Sequence, residues 1–381
     1  MAGSRGKVVV AMSGGVDSSV AACLLHEQGY EVIGLFMRTG VEEPGGDGAG
    51  RPVRGCCGAQ DAADARSVAG RLGVPFFALN FREAFEELIE QFVAEYRRGR
   101  TPNPCVLCNE RLKFGRLADY ARAAGADFIA TGHYARVLPA EDGPGLFRGV
   151  DRAKDQSYVL FGIGRETLAR TLLPLGGMTK AEVRACARRF GLTLSAKPES
   201  QDICFVPDGD YAGLVRRRCP EAFAEGPVLD VQGRRIGRHA GLPNYTIGQR
   251  RGLGLALGEP CYVVAIDPAR NALTVGPRSA LAGTRLTASG MRWLIPPPTE
   301  PFRALAQIRY AHQASPAVVE PLGPDGARVA FDQPQAAITP GQAVVLYRQD
   351  MVLGGGWIES SEPRDGPFGG SGAVDAAGGA H

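Results

Sequence analysis

Two thiols three positions apart in N-P-C-V-L-C-N (residues 103–109), with a further cysteine in S-Q-D-I-C-F (residues 200–205), are residue types that could clamp a metal, form a redox pair or act as a nucleophile with a helper. A four-ligand structural zinc site calls for a second C-x-x-C or paired histidines, and neither is visible: Cys56 and Cys57 have the wrong spacing, and the chain has only five histidines. A thioredoxin-like pair would occupy the first strand-to-helix turn, where a different loop stands. Cys108 reads as standing just ahead of a helix that starts near Asn109, where the positive helix end favours a thiolate. Cys23 and Cys186 fall on apolar helix positions and read as core packing.

The other chemistry-bearing string is A-M-S-G-G-V-D-S-S (residues 11–19), which follows an apolar strand and opens a helix. Backbone N–H groups and the helix end converge there on an anion. Gly14 and Gly15 permit close approach, and Ser13, Ser18 and Ser19 add hydroxyl donors. There is no G-K-[ST] and no G-x-G-x-x-G. Asp17 would repel a phosphate unless it held Mg²⁺, which suits a magnesium-pyrophosphate unit.

The elements needed to position these groups are legible in outline. K-V-V-V-A-M, E-V-I-G-L-F-M, P-F-F-A-L-N-F and D-F-I-A-T-G-H-Y read as strands separated by helices, so the first part predicts a parallel, doubly wound α/β sheet with its ligand at the strands' carboxyl ends. A Gly/Pro-rich stretch from Gly40 to Gly55 reads as a mobile loop. Beyond about Tyr211, short apolar runs between Gly, Pro and Asp turns predict small all-β modules. The expected division is residues 1–210 for the α/β region, 211–282 for a small arginine-rich central domain, 283–360 for a C-terminal β-barrel, and 361–381 for a disordered tail. Net charge is only +3, so the chain is no polycation, yet eight arginines against three acids between Tyr211 and Arg251 make a local phosphate-attracting surface. Nine cysteines, an odd number with no export signal, argue against a disulfide scaffold, and no apolar run is long enough to span a bilayer. The expectation is a soluble cytoplasmic protein.

S-G-G-x-D-S after a first strand resembles the pyrophosphatase loop of the ATP-pyrophosphatase superfamily. That resemblance implies an ATP site at Ala11, Met12, Ser13, Gly14, Gly15, Val16, Asp17 and Ser18, with Met37 and Gly132 at the adenosine end. In order and spacing, S-G-G-V-D-S-S, T-P-N-P-C-V-L-C-N, T-G-H-Y, K-D-Q-S-Y, S-Q-D-I-C-F, T-I-G-Q-R-R-G-L-G and L-G-G-G-W-I resemble the bacterial tRNA-specific 2-thiouridylase family (MnmA) over residues 7–359. The family implies ATP-dependent 2-thiolation of the wobble uridine of tRNAs for Lys, Glu and Gln, with adenylation and thiolation in residues 1–210 and tRNA binding in residues 211–282. Cys108 matches its nucleophile and Cys204 its persulfide carrier, with a transient Cys108–Cys204 disulfide and an upstream persulfide-relay protein or cysteine desulfurase as partner. The matching tRNA contacts are Asn103, Pro104 and Cys105 at the target base, Lys154, Asp155, Gln156, Arg309 and Tyr310 on the anticodon arm, and His133 and Gln342 at the interface.

Many members of that family carry aspartate, proposed as a general acid/base, where this chain has Cys105. A thiol is a different proton carrier. The change also gathers Cys105, Cys108 and Cys204 as potential ligands of a [4Fe–4S] cluster that would carry the sulfur. Two other readings compete: a different ATP-pyrophosphatase, such as an amidotransferase-linked or lysidine synthetase, and a non-catalytic tRNA-binding or metal-storage protein.

Overall fold

The structure is a computed structural model that describes residues 5–40, 58–193, 203–206, 209–255 and 258–363. The segment 41–57 with Cys56 and Cys57, residues 200–202 of S-Q-D-I-C-F, and the tail beyond Pro363 lie outside the described residues. In chain order the first region contains β1 (Lys7–Ala11), α1 (Val16–Glu27), β2 (Glu31–Arg38), α2 (Ala59–Leu72), β3 (Phe76–Asn80) and α3 (Arg82–Arg97). A helical run follows, composed of α4 (Pro104–Leu107), a π-helical segment (Cys108–Arg116) and α5 (Leu117–Ala123). Next come β4 (Phe128–Ala130), a hairpin of β5 (Ala135–Ala140) and β6 (Gly143–Arg148), α6 (Arg165–Ala169), β7 (Thr171–Leu172) and α7 (Lys180–Arg189).

Strands β3-β2-β1-β4-β7 form one parallel sheet in that order. The period-2 alternation of β1 divides its side chains between two cores. Val8 and Val10 face α1, α2 and α7, whereas Val9 and Ala11 face α3 and the α4–α5 run. Chain order reverses at β1, with β2 and β3 on one side and β4 on the other. The crevice beyond the carboxyl ends of β1 and β4 is therefore the ligand position for such a sheet, and the loop after Ala11 opens into it.

Helix α8 (Tyr211–Arg218) then leads to a four-stranded sheet of β8 (Gly226–Leu229), β9 (Arg235–His239), β10 (Tyr262–Asp267) and β11 (Ala272–Gly276). Tyr211 stacks on Tyr96 at 5.1 Å and Arg218 pairs with Glu86, so α8 is fastened to α3. The last region is a barrel of β12 (Ala282–Trp293), β13 (Phe302–Gln307), β14 (Ser315–Pro321), β15 (Gly326–Ala336), β16 (Ala343–Arg348) and β17 (Met351–Pro363), closed by pairing of β12 with β17. Closure removes the exposed edges that short antiparallel strands otherwise leave. Among the described residues no helix is long and apolar enough to cross a membrane.

The doubly wound sheet, the small β-rich centre and the terminal barrel agree with the patterns read from sequence, and three details differ. The β5–β6 hairpin extends the barrel sheet through Phe147 opposite Met351, although it lies within the first 210 residues. Ser361 and Glu362, read as the start of a disordered tail, pair with Leu286 and Arg285 in the closing seam. The helix expected from Asn109 starts at Pro104. Proline at a first helical position initiates the helix, since its missing N–H has no intrahelical partner to lose there.

Candidate active site

The loop between β1 and α1 is shaped by its own short side chains. Ser13 N donates to Ser18 Oγ at 3.1 Å, and the hydroxyls of Ser18 and Ser19 donate to the Gly15 carbonyl at 3.2 and 2.9 Å. Gly14 has φ +71°, and a Cβ there would stand 2.2 Å from the Asp61 carbonyl oxygen, so only glycine fits. Gly132 approaches from the β4 side: a Cβ on it would lie 2.7 Å from backbone atoms of Asp17 and Ser18. The backbones of two strand ends thus meet over the start of α1, leaving N–H groups rather than side chains to face an anion.

The Asp17 carboxylate is paired within the fold. Lys180 Nζ donates to both of its carboxylate oxygens at 2.8 and 2.9 Å, and the Tyr134 hydroxyl donates to Oδ1 at 2.8 Å. The sequence reading missed Lys180. Its signal was the capping box T-K-A-E, which fixes the start of α7 and sets a lysine at the first helical position, where a positive charge opposes the macrodipole.

Cys105 lies in the first turn of α4 and is exposed, whereas Cys108 is half-buried one turn further on, where the α-helix passes into the π-helical segment. The helix-end field expected at Cys108 therefore acts more directly on Cys105. Cys204 is half-buried, and Cys108 and Cys204 pack against one hydrophobic cluster together with Ala11 and Met37. The next residue, Phe205, makes edge-on contacts with Phe85 at 5.7 Å and Phe92 at 5.2 Å. Among the described residues, Cys105, Cys108 and Cys204 included, no three His, Cys, Asp or Glu side chains are grouped as metal ligands. The residues present do not form the expected cluster site in this conformation.

The approach to Cys105 is held by the barrel. Thr101 N donates to the Pro340 carbonyl at 2.9 Å, and Gln342 Nε2 donates to the carbonyls of Thr101 and Pro102 at 2.9 and 3.3 Å. Arg100 pairs with Glu95 at 2.6 Å and also with Glu359. On the following turn Glu110 pairs with Arg292 at 3.5 Å, and Asn109 Nδ2 donates to the Val159 carbonyl at 3.0 Å.

The residues matched to RNA contacts separate into two groups. Tyr310 is 47% exposed, edge-on to Tyr158, which excludes a core tyrosine, and Arg309 and Lys154 are partly exposed. Asp155 is a buried hub that accepts from Arg148, from the backbone of Gly149 and Ser157, and from the Ser157 hydroxyl. Gln156 exchanges bonds with the Tyr134 backbone in both directions at 2.9 Å, fixing the tyrosine that reaches Asp17. His133 is buried, with Nδ1 2.7 Å from Thr131 Oγ1 and Nε2 3.4 Å from Lys113 Nζ. Desolvation, then the Lys113 charge, holds its pKa well below the usual histidine value, so it is neutral. His133 thus acts behind the surface, and the side chains of Asp155, Gln156 and Gln342 are engaged in bonds within the fold, which sequence spacing cannot distinguish from contacts.

All eight arginines between Tyr211 and Arg251 are exposed. Three are partly neutralised within the fold, Arg218 by Glu86, Arg234 by Asp230 and Arg238 by Glu225, while Arg216 lies 4.1 Å over the Phe223 ring.

Residues 6–208 match the family described as the tRNA methyl transferase HUP domain, residues 214–277 its PRC-barrel domain, and residues 283–358 the aminomethyltransferase β-barrel domain. The tRNA-specific 2-thiouridylase MnmA of Carboxydothermus hydrogenoformans is 53% identical, covering 93% of this chain and 98% of that protein. The proteins of the same name from Moorella thermoacetica and Chloroflexus aurantiacus are 52% and 51% identical, over 92% and 93% of this chain and 99% of each. With identity at this level over more than nine-tenths of its length, the chain belongs to the tRNA-specific 2-thiouridylase family.

Proposed function

We propose that this chain, working in the cytoplasm, uses ATP to replace the C2 oxygen of the wobble uridine of tRNAs for Lys, Glu and Gln by sulfur. The observation that carries the reading is the common setting of the two thiols. Cys108 and Cys204, like Ala11 and Met37, pack against one hydrophobic cluster, and Ala11 leads directly into the phosphate loop. This supports a reading in which activation and sulfur transfer act on one base.

The C2 oxygen attacks the α-phosphorus, the bond from Pα to the bridging oxygen breaks, and pyrophosphate leaves with the electron pair. The loop N–H groups and the start of α1 would hold the phosphates, and Asp17 would hold Mg²⁺, which neutralises phosphate charge when bound. A persulfide on Cys204, delivered by a relay protein or a cysteine desulfurase, attacks C2 through its terminal sulfur and expels AMP. The Cys108 thiolate then attacks Cys204 Sγ, the S–S bond breaks, and the sulfur stays on C2. A Cys108–Cys204 disulfide results, and an external dithiol reduces it, becoming a disulfide itself. Only two thiols are required.

The extruded uridine would sit over Asn103, Pro104 and Cys105, with Arg309, Tyr310 and Lys154 on the neighbouring RNA. An exposed tyrosine beside an arginine suits an unstacked RNA loop. The exposed arginines of residues 216–251 would take phosphates.

The test is nucleoside mass spectrometry of an unmodified lysine tRNA transcript after incubation with the metal-stripped protein, ATP-Mg²⁺ and a persulfide donor. Formation of 2-thiouridine at the wobble position is the expected result. Product only after anaerobic iron–sulfur reconstitution would transfer the carrier role to a cluster on Cys105, Cys108 and Cys204. No product in either arm would sink the thiolation reading and favour another adenylating enzyme.

A further inference from the structure

Lys154 lies in the loop after β6 and Arg309–Tyr310 just beyond β13, in different regions of the fold, and one chain of polar groups beneath them joins the two. Arg148, the last residue of β6, donates through Nη1 to Asp155 Oδ2 at 3.0 Å and through Nη2 to Gln307 Oε1 at 2.9 Å. Gln307 ends β13, is 3% exposed, and donates through Nε2 to the carbonyls of Arg309 and Tyr310 at 3.1 and 2.9 Å. That amide is oriented from both ends: a guanidinium only donates and a carbonyl only accepts, so a flipped Gln307 would lose all three bonds. The Arg148 guanidinium also lies 3.6 Å over the buried Tyr347 ring, which sets the plane of its fork. At the other end of the chain, Asp155 accepts from the backbone N–H groups of Gly149 and Ser157, on either side of Lys154.

Holding the hairpin to the barrel does not require this chain. Phe147 already pairs with Met351, and Leu146, Val345 and Tyr347 share one core. Apolar residues would join the same strands without enclosing an arginine and an aspartate. What directional bonds add is a fixed orientation at each end. We propose that Gln307 and Arg148 are positioning residues for tRNA: through Asp155 and the carbonyls of Arg309 and Tyr310 they hold the Lys154 loop and the Arg309–Tyr310 turn in one relation, so that the anticodon arm meets a preformed surface. Tyr158, which follows Ser157, sets its ring edge-on to Tyr310 with centroids 6.2 Å apart, so the turn is guided from the same loop. Ordering these groups before binding removes an entropic cost that the complex otherwise bears. This inference rests on the RNA contacts proposed above for Lys154, Arg309 and Tyr310.

Fluorescence anisotropy of a labelled lysine tRNA transcript on the full chain, beside steady-state thiolation and ATP titration, tests it. Gln307→Met removes the three bonds and adds no charge. Kd and KM for tRNA should rise about 10-fold, while ATP affinity and kcat at saturating tRNA stay within about twofold. Arg148→Lys, whose ammonium neutralises Asp155 without bridging to Gln307, should show the same split. Tyr310→Ala should cost less tRNA affinity in the Gln307→Met chain than in the wild type, because its contact is already misplaced there. Unchanged tRNA affinity in Gln307→Met, or equal costs of Tyr310→Ala in both backgrounds, would overturn the assignment. A parallel fall in tRNA affinity, ATP affinity and kcat would overturn it too, by making the network a structural tether. Should Gln307→Met lose its thermal transition, Arg148→Lys carries the same comparisons, and loss of folding in both variants again makes the network a tether. A wild-type chain that binds no tRNA, or one in which Tyr310→Ala costs nothing, would instead sink the RNA contacts themselves.

Discussion

The phosphate loop and the thiol turn are both short segments marked by glycine or proline, and they are held in opposite ways. At residues 13–19 the shaping bonds close within five residues, serine to serine and serine to the Gly15 carbonyl. At residues 100–110 the partners are Pro340, Gln342, Glu359, Arg292 and Val159, all far away in sequence. The loop is closed by its own side chains and backed by other parts of the α/β region, Gly132 and Lys180 among them, whereas the turn that carries Cys105 and Cys108 needs the barrel docked against it. A change in the barrel should therefore impair sulfur transfer while sparing nucleotide binding.

The strongest test of that separation is removal of the thiols. Cys108→Ser and Cys204→Ser should each lower 2-thiouridine formation by about 10³-fold or more while ATP still binds, because an unreplaced nucleophile is lost and the loop is untouched. Full activity in Cys108→Ser would erase the distinction and favour a different ATP-pyrophosphatase. Next in size is Phe205→Ala, which deletes the ring that anchors the Cys204 segment against Phe85 and Phe92. A loss of about 3 kcal/mol in denaturant unfolding should accompany slower thiolation, and a retained thiolation rate would show that Cys204 is positioned by other contacts. Gln342→Ala removes two bonds from barrel to turn. It should cost about 2 kcal/mol and reduce thiolation with ATP affinity unchanged; a parallel fall in ATP affinity would mean the two regions are not separable.

The smallest effect concerns the residue that lies between them. His133 bonds Thr131 behind the loop and reaches Lys113 on the thiol helix. Its pKa is depressed in the folded chain, so the unfolded chain binds the extra proton. The stability it contributes is complete above the unfolded value near 6.5 and declines as pH falls below it. At pH 6 the loss should be about 1 kcal/mol relative to pH 8, read as the difference in melting between the wild-type chain and His133→Asn. Identical pH profiles would show that His133 is not the titrating link.

How much of this was legible depends on how far apart the interacting residues lie. The loop, its glycines and the alternating strands could be read because each depends on neighbours within a few residues. The start of the thiol helix was misread, Asn109 for Pro104, because Pro104 reads equally as a turn or as a helix start, and only packing of Val106 and Leu107 in the core decides between them. The K-D-Q and R-Y strings were recognisable as a set. Their division into buried supports and exposed contacts depends on which face the fold covers.

The sequence by itself determined the architecture and the glycine-marked loop after the first strand, since periodicity and turn chemistry are local properties. Tertiary structure decided that Asp17 is paired with Lys180 across 163 positions, that the β5–β6 hairpin joins the barrel sheet, and that Gln342 supports the turn carrying Cys105. Each is a contact between segments whose separation along the chain carries no periodic signal. Only the burial of a core and the satisfaction of polar groups within it bring such segments together.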